Sequence, residues 1–214
     1  INDHWPTSFQ FDSPFREYYR HIIMPTIDSI PQQESWLQDY VSADCVLSYT
    51  DWGIEVMNNS SGNKIKTFKA ATPAFNNLFK PVEDKSKHKN TFGINSEVKI
   101  IGTIMRNQRR KLYPDLFRCF REILDKTKNN SLYLYCHTSY PDNNGWDIPA
   151  LIKEYKVSNK VILTYVCEKC GAVTPTLFQD TIAMCPSCNY FVCKPADVNT
   201  GVETEILSQI INVF

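Results

Sequence analysis

The chain has 214 residues, 43% of them hydrophobic and 21% charged, and its 23 basic and 23 acidic side chains cancel. Such a composition supports one large globular domain or two small ones, and the charge balance argues against a broad grip on a polyphosphate backbone. No apolar run approaches the roughly 18–20 residues that span a bilayer, and the first residues lack the basic start and apolar stretch of a secretion signal, so a cytoplasmic protein without a membrane span is expected.

Residues 14–28 space Phe15, Tyr18, Tyr19, Ile22 and Ile23 as one face of a helix, and residues 31–43 repeat the pattern with Trp36, Leu37, Tyr40 and Val41 behind Pro31. A β-rich run at 45–49, a short helix at 51–58 and a strand at 64–70 follow, before the turn-rich TPAFNN leads to Phe79-Lys80-Pro81. The charged stretch 83–97 reads as a solvated connection, with His88 facing water. From Val98 a β/α alternation sets in: strand 98–105, helix 114–126, strand 131–136, helix 148–155 and strand 160–166, with a last helix over 203–213. Strands alternating with helices imply a parallel, Rossmann-like sheet. Both ends read as cut, since the first residue is Ile1 rather than Met and the apolar IINVF closes the chain.

Eight cysteines in a chain of this size are not needed as disulfide staples, and four of them are spaced as metal ligands. Cys167 with Cys170, and Cys185 with Cys188, form two C-x-x-C pairs separated by 14 residues. Each pair sets two thiolates on one tight knuckle, and two knuckles complete a tetrahedron around zinc. Four thiolates leave no open position, so the expected zinc is structural. Cys193 is a possible competing ligand, and Cys45, Cys119 and Cys136, lying in apolar runs, read as buried thiols.

The turn after the first strong strand, Met105 to Lys111, holds Arg106, Arg109, Arg110 and Lys111. In an open parallel sheet ligands bind outside the carboxyl ends of the strands, so Arg106 and Lys111 are candidate diphosphate ligands, against the plain alternative of a solvated basic turn. At the end of the next strand stand His137 and Thr138, candidates to hydrogen-bond a nucleotide or phosphate, although a lone histidine there is commonly structural. Trp146 either stacks on a base or packs in the core.

Residues 95–165 resemble the donor-binding lobe of group 1 (family four) GT-B glycosyltransferases, in which a strand ending Gly-x-x-x-Arg is followed five residues on by Lys. Gly102, Arg106 and Lys111 match that pattern, and MRNQRRKLYPDLF is similar to the form found in one branch of the family. TPAFNNLFKP resembles the crossing between the lobes, matching at Phe79 and Pro81 and departing at Ala74-Phe75-Asn76, where the family usually has Gly-Val-Asp. Residues 13–53 look like the last part of the acceptor lobe. The resemblance implies residues 1–82 as part of an N-terminal acceptor lobe, 83–97 as a linker and 98–214 as the first part of the donor lobe, with a zinc ribbon inserted at 166–194. It implies a retaining transfer of sugar from a nucleotide-diphosphate donor to an unknown acceptor. Arg106 and Lys111 would then neutralise the departing diphosphate, with Gly102, His137 and Thr138 at the donor site. It also implies that the chain covers the middle of such an enzyme, with the acidic motif that holds the donor sugar lying beyond Phe214. The competing expectation is a non-enzymatic ribbon that binds a protein partner or nucleic acid. The balanced Glu168, Lys169, Asp180 and Lys194 disfavour nucleic acid.

Overall fold

The computed structural model describes residues 9–70, 77–180, 184–190, 193–196 and 201–214. The crossing residues Ala74, Phe75 and Asn76 lie outside them. The chain divides into two compact units, Ile1–Asn76 and Asn77–Phe214.

The first unit is a three-stranded parallel sheet, β1 (Ile22–Ile23), β2 (Cys45–Ser48) and β3 (Thr67–Lys69), in that order. Two helices join the strands, α1 (Glu34–Ser42) and α2 (Asp51–Ser61). Thr50 caps α2, its hydroxyl accepting from Gly53 N at 3.0 Å, and Gly62 closes the helix at φ +63°. The helix expected over 14–28 does not form: the segment is a 3-10 turn, Arg16–Tyr18, followed by extended β1. Its cause is tertiary. The Asp44 carboxylate takes Arg16 at 2.7 Å, Arg20 at 2.9 Å and the His21 backbone N–H at 2.8 Å, which pins this segment as an extended neighbour of β2. Those three donors, led by the His21 N–H, hold the Asp44 carboxyl far below the usual carboxylate range. Phe15 and Tyr18 accordingly face solvent.

The second unit opens with helix α3 (Lys85–Thr91) and continues with β4 (Lys99–Ile104), α4 (Tyr113–Thr127), β5 (Leu132–His137), α5 (Ile148–Glu154), β6 (Val161–Cys167), β7 (Val173–Leu177), β8 (Cys193–Pro195) and α6 (Thr204–Ile211). The stretch 83–97 thus carries a helix capped by Asp84, and Ile94 is buried in the core of this unit. β4, β5 and β6 are parallel. β7 and β8 both run antiparallel to β6, so the sheet is mixed where a parallel one was expected. The reason is the knuckle at Cys167–Cys170, which folds the chain straight back without a crossover helix.

Period-two alternation sorts the strand side chains between two faces. Leu134, Cys136, Val161, Leu163 and Tyr165 meet Phe117, Phe120 and Leu124 of α4 and Ile148 and Ile152 of α5. Tyr133, Tyr135 and Ile162 meet Ile206, Ile210, Val213 and Phe214 from α6 and the end that follows it. Cys136 is buried as expected, but Cys45 is half-buried and Cys119 is exposed, on the solvent side of α4. Among the described residues no helix is long and apolar enough to cross a membrane.

Candidate functional site

The carboxyl ends of β4 and β5 frame a crevice of about 210 Å³ lined by Ile104, Met105, Arg106, His137, Thr138, Ser139 and Ala196. Arg106, His137 and Thr138, named separately from the sequence, share this crevice. Lys111 is not among its lining residues; it is half-buried in the 3-10 turn Arg109–Lys111. Gly102 lies on β4 beneath the Phe214 ring, which occupies the space a Cβ would need. Its missing side chain therefore serves aromatic packing at that point of the strand rather than close approach of a ligand.

The loops behind the crevice carry contacts that the sequence did not reveal. Asn107, fully buried, accepts from Trp146 N and donates to Trp146 O, both at 2.8 Å, so its amide mimics a strand neighbour and clips the β4–α4 loop to the β5–α5 loop. Gly145 makes room for it, since a Cβ there would lie 2.6 Å from Asn107 Cγ. Tyr113, buried at the start of α4, donates to Met105 O at 2.9 Å and holds the same loop from below. Thr138 Oγ1 is buried without a hydrogen bond of good geometry among the described residues; the neighbouring Tyr113 hydroxyl spends its proton on Met105. Trp146 packs under Arg109, whose guanidinium sits 4.5 Å from the indole centre, and its Nε1–H donates to Arg109 O at 3.2 Å.

His137 Nδ1 lies 2.8 Å from Thr164 Oγ1, which lies 2.8 Å from the Tyr135 hydroxyl. Burial pulls the His137 imidazole below its ordinary value and pushes the Tyr135 phenol well above its own, so both stay neutral near pH 7.

The four expected metal ligands come together. The sulfurs of Cys167, Cys170, Cys185 and Cys188 lie within 4.8 Å of one another, with Cys167–Cys188 and Cys170–Cys185 each at 3.6 Å. Bonds of roughly 2.3 Å to a tetrahedral ion would set sulfurs about 3.8 Å apart, so the group could hold a metal ion such as zinc. The two knuckles repeat each other. Gly171 N donates to Cys167 O and Asn189 N to Cys185 O, both at 2.9 Å; Cys167 N donates to Ala172 O and Cys185 N to Tyr190 O, again at 2.9 Å. Each knuckle ends on a left-handed residue, Gly171 at φ +70° and Asn189 at φ +53°.

Burial opposes ionising Cys185, but the backbone N–H groups of Cys188 and Ser187 outweigh it and bring the thiol down to about 6; Cys167 is lowered in the same way by Cys170 and Lys169. Cys188 accepts from Tyr190 N–H, yet burial and the three neighbouring thiols push it up to about 12. Without a metal the cluster therefore retains protons that an ion would displace. Cys193 is the fifth thiol of this region but no member of the four. It sits across from Cys167 in the β6–β8 ladder, and burial, then the charge of Cys167 and Cys185, raises it to about 11.

β8 ties the two features together. β7 occupies one edge of β6, so β5 and β8 share the other edge end to end, β5 opposite Val161–Leu163 and β8 opposite Tyr165–Cys167. Ala196 N donates to Thr164 O at 3.0 Å, which brings Ala196 into the crevice wall. Compared with known proteins, the sequence matches no family model and no curated protein.

Proposed function

We propose that this chain carries the donor-binding lobe of a retaining GT-B glycosyltransferase, with a structural zinc at the two knuckles. The convergence of Arg106, His137 and Thr138 on one crevice at the carboxyl ends of parallel strands carries this reading. Together with the spacing of Arg106 and Lys111, it favours an anionic diphosphate there. In this reading the anomeric carbon leaves the diphosphate for an acceptor hydroxyl, and Arg106 meets the negative charge that develops on the departing group. Lys111 adds positive potential from the turn behind it. The zinc, held by Cys167, Cys170, Cys185 and Cys188, has no open position and orders the ribbon rather than taking part in the reaction.

Calorimetric titration of the chain with UDP-, GDP- and ADP-sugars, the free diphosphates and short single- and double-stranded oligonucleotides tests the proposal. Binding of one nucleotide sugar, weakened roughly tenfold or more by Arg106→Ala, is the expected result, since a charge-assisted contact is worth about 1.5–3 kcal/mol. Oligonucleotide binding that ignores Arg106, with no response to any sugar nucleotide, would transfer the case to a ribbon-type binding module.

A further inference from the structure

The hydrogens of the Tyr135–Thr164–His137 chain can be assigned by counting. Tyr135 and Thr164 are buried, and their hydroxyl oxygens have no hydrogen-bond partners beyond this chain among the described residues. Two bonds must absorb two hydroxyl protons. They do so only when Tyr135 donates to Thr164 Oγ1 and Thr164 donates to His137 Nδ1. If His137 instead carried its proton on Nδ1 and gave it to Thr164, one of the two buried hydroxyl hydrogens would point at no acceptor. The first arrangement leaves the imidazole neutral with its proton on Nε2. Nδ1 is turned to the sheet and the residue lines the crevice, so Nε2–H is the polar atom left for a ligand.

We infer that Thr164 and Tyr135 are positioning residues that hold His137 as the Nε2–H tautomer, so that it donates a hydrogen bond to an oxyanion seated beside Arg106 in the crevice. The oxyanion half rests on the reading proposed above; the tautomer half does not. The arrangement gives the crevice two unlike partners for one phosphate group: the Arg106 guanidinium and a fixed neutral N–H. A neutral histidine used this way suits a terminal phosphate oxygen and also keeps its strength as charge builds on that oxygen. Neither Tyr135 nor Thr164 lines the crevice, so any effect they have on binding passes through His137.

Long-range nitrogen–proton correlation spectra of the full chain at pH 7.5 read the tautomer directly, and isothermal titration with inorganic pyrophosphate reads the binding. The parent chain should show the Nε2–H pattern for His137. Tyr135→Phe, which removes the donor that sets the direction, should give a mixed tautomer and pyrophosphate affinity about three- to tenfold weaker. Thr164→Ser should keep both parent properties, and Thr164→Val should lose both. If the valine variant does not fold, the phenylalanine and serine variants still decide the matter. An Nδ1–H signal in the parent, or Tyr135→Phe with unchanged tautomer and affinity, would overturn the inference. An intact Nε2–H signal in a parent that binds no pyrophosphate would overturn the donation to an oxyanion and with it the diphosphate site, while leaving the proton assignment standing.

Discussion

Replacing Asn107 by alanine removes both hydrogen bonds, each 2.8 Å, that its buried amide makes with the backbone of Trp146. Each bond contributes about 1 kcal/mol net, and the backbone groups abandoned in a half-buried loop add part of their own desolvation penalty, so the loss should be about 2–4 kcal/mol. For a unit of this size that corresponds to a fall in melting temperature on the order of 10 °C. Asn107→Asp sharpens the test. It conserves shape and keeps an acceptor for Trp146 N, but sets a carboxylate oxygen against the Trp146 carbonyl in a fully buried position. It should therefore destabilise at least as much as alanine at pH 7.5 and recover in part at pH 4, where a protonated carboxyl donates in place of the amide. Urea unfolding followed by circular dichroism reads all three chains. A loss under about 0.5 kcal/mol for Asn107→Ala would refute the view that this amide clips the two loops together.

Three further outcomes are expected. Gly102→Ala places a Cβ in the space held by the Phe214 ring, and this overpacking should lower stability by about 1–3 kcal/mol in urea unfolding, with Gly102→Ala/Phe214→Leu recovering part of it. His137 is pulled below its ordinary value of 6.5 by burial, so the unfolded chain takes up that proton first. Stability is fully present above about pH 6.5 and falls as pH drops below it, and His137→Gln should flatten that slope in urea midpoints measured between pH 7.5 and 5.5. Chelation at pH 7.5 should release one zinc per chain, broaden the amide signals of residues 167–171 and 185–190, and weaken pyrophosphate binding, with affinity for the ion falling as pH drops and protons compete for the thiolates.

The elements that propensity and periodicity could reach were legible where local signals and packing agree. α4 was readable because Phe117, Phe120 and Leu124 recur at helical spacing and do face the core. The four-cysteine cluster was readable because C-x-x-C is a local geometry: two thiols three residues apart already lie on one turn. Residues 14–28 misled because their aromatic spacing was helical, while Asp44, more than twenty residues away, supplied the bonds that kept them extended. The antiparallel return of β7 was equally hidden, since VTPTL has the composition of any strand and only the preceding knuckle decides its direction. Within the crevice, Arg106, His137 and Thr138 could be named from their positions at strand ends. Asn107, Thr164 and Tyr135, which lie behind its lining, could not, because an asparagine in a loop or a threonine in a strand becomes informative only when its partner on another element is known.

The position of β8 links the four-cysteine cluster to the crevice at the carboxyl ends of β4 and β5. In a wholly parallel sheet the edge of β6 beyond β5 would be open, because β5 ends while β6 runs on for another turn of the pleat. Here β6 continues to Cys167, and the overhang it creates, Tyr165–Cys167, is paired by Cys193–Pro195. One end of β8 is thus set by Cys193 lying across from Cys167 of the four-cysteine cluster, and the other by Ala196 bonded to the carbonyl of Thr164, the residue whose hydroxyl holds His137. A metal that fixes Cys167 and Cys188 fixes the end of β6 that β8 pairs with and the knuckle that precedes β8 in the chain. The floor of the crevice, from β4 and β5, does not pass through the knuckles at all. Loss of the ion therefore loosens one wall and leaves the floor, which is why chelation should weaken a bound diphosphate while Arg106→Ala should weaken it more.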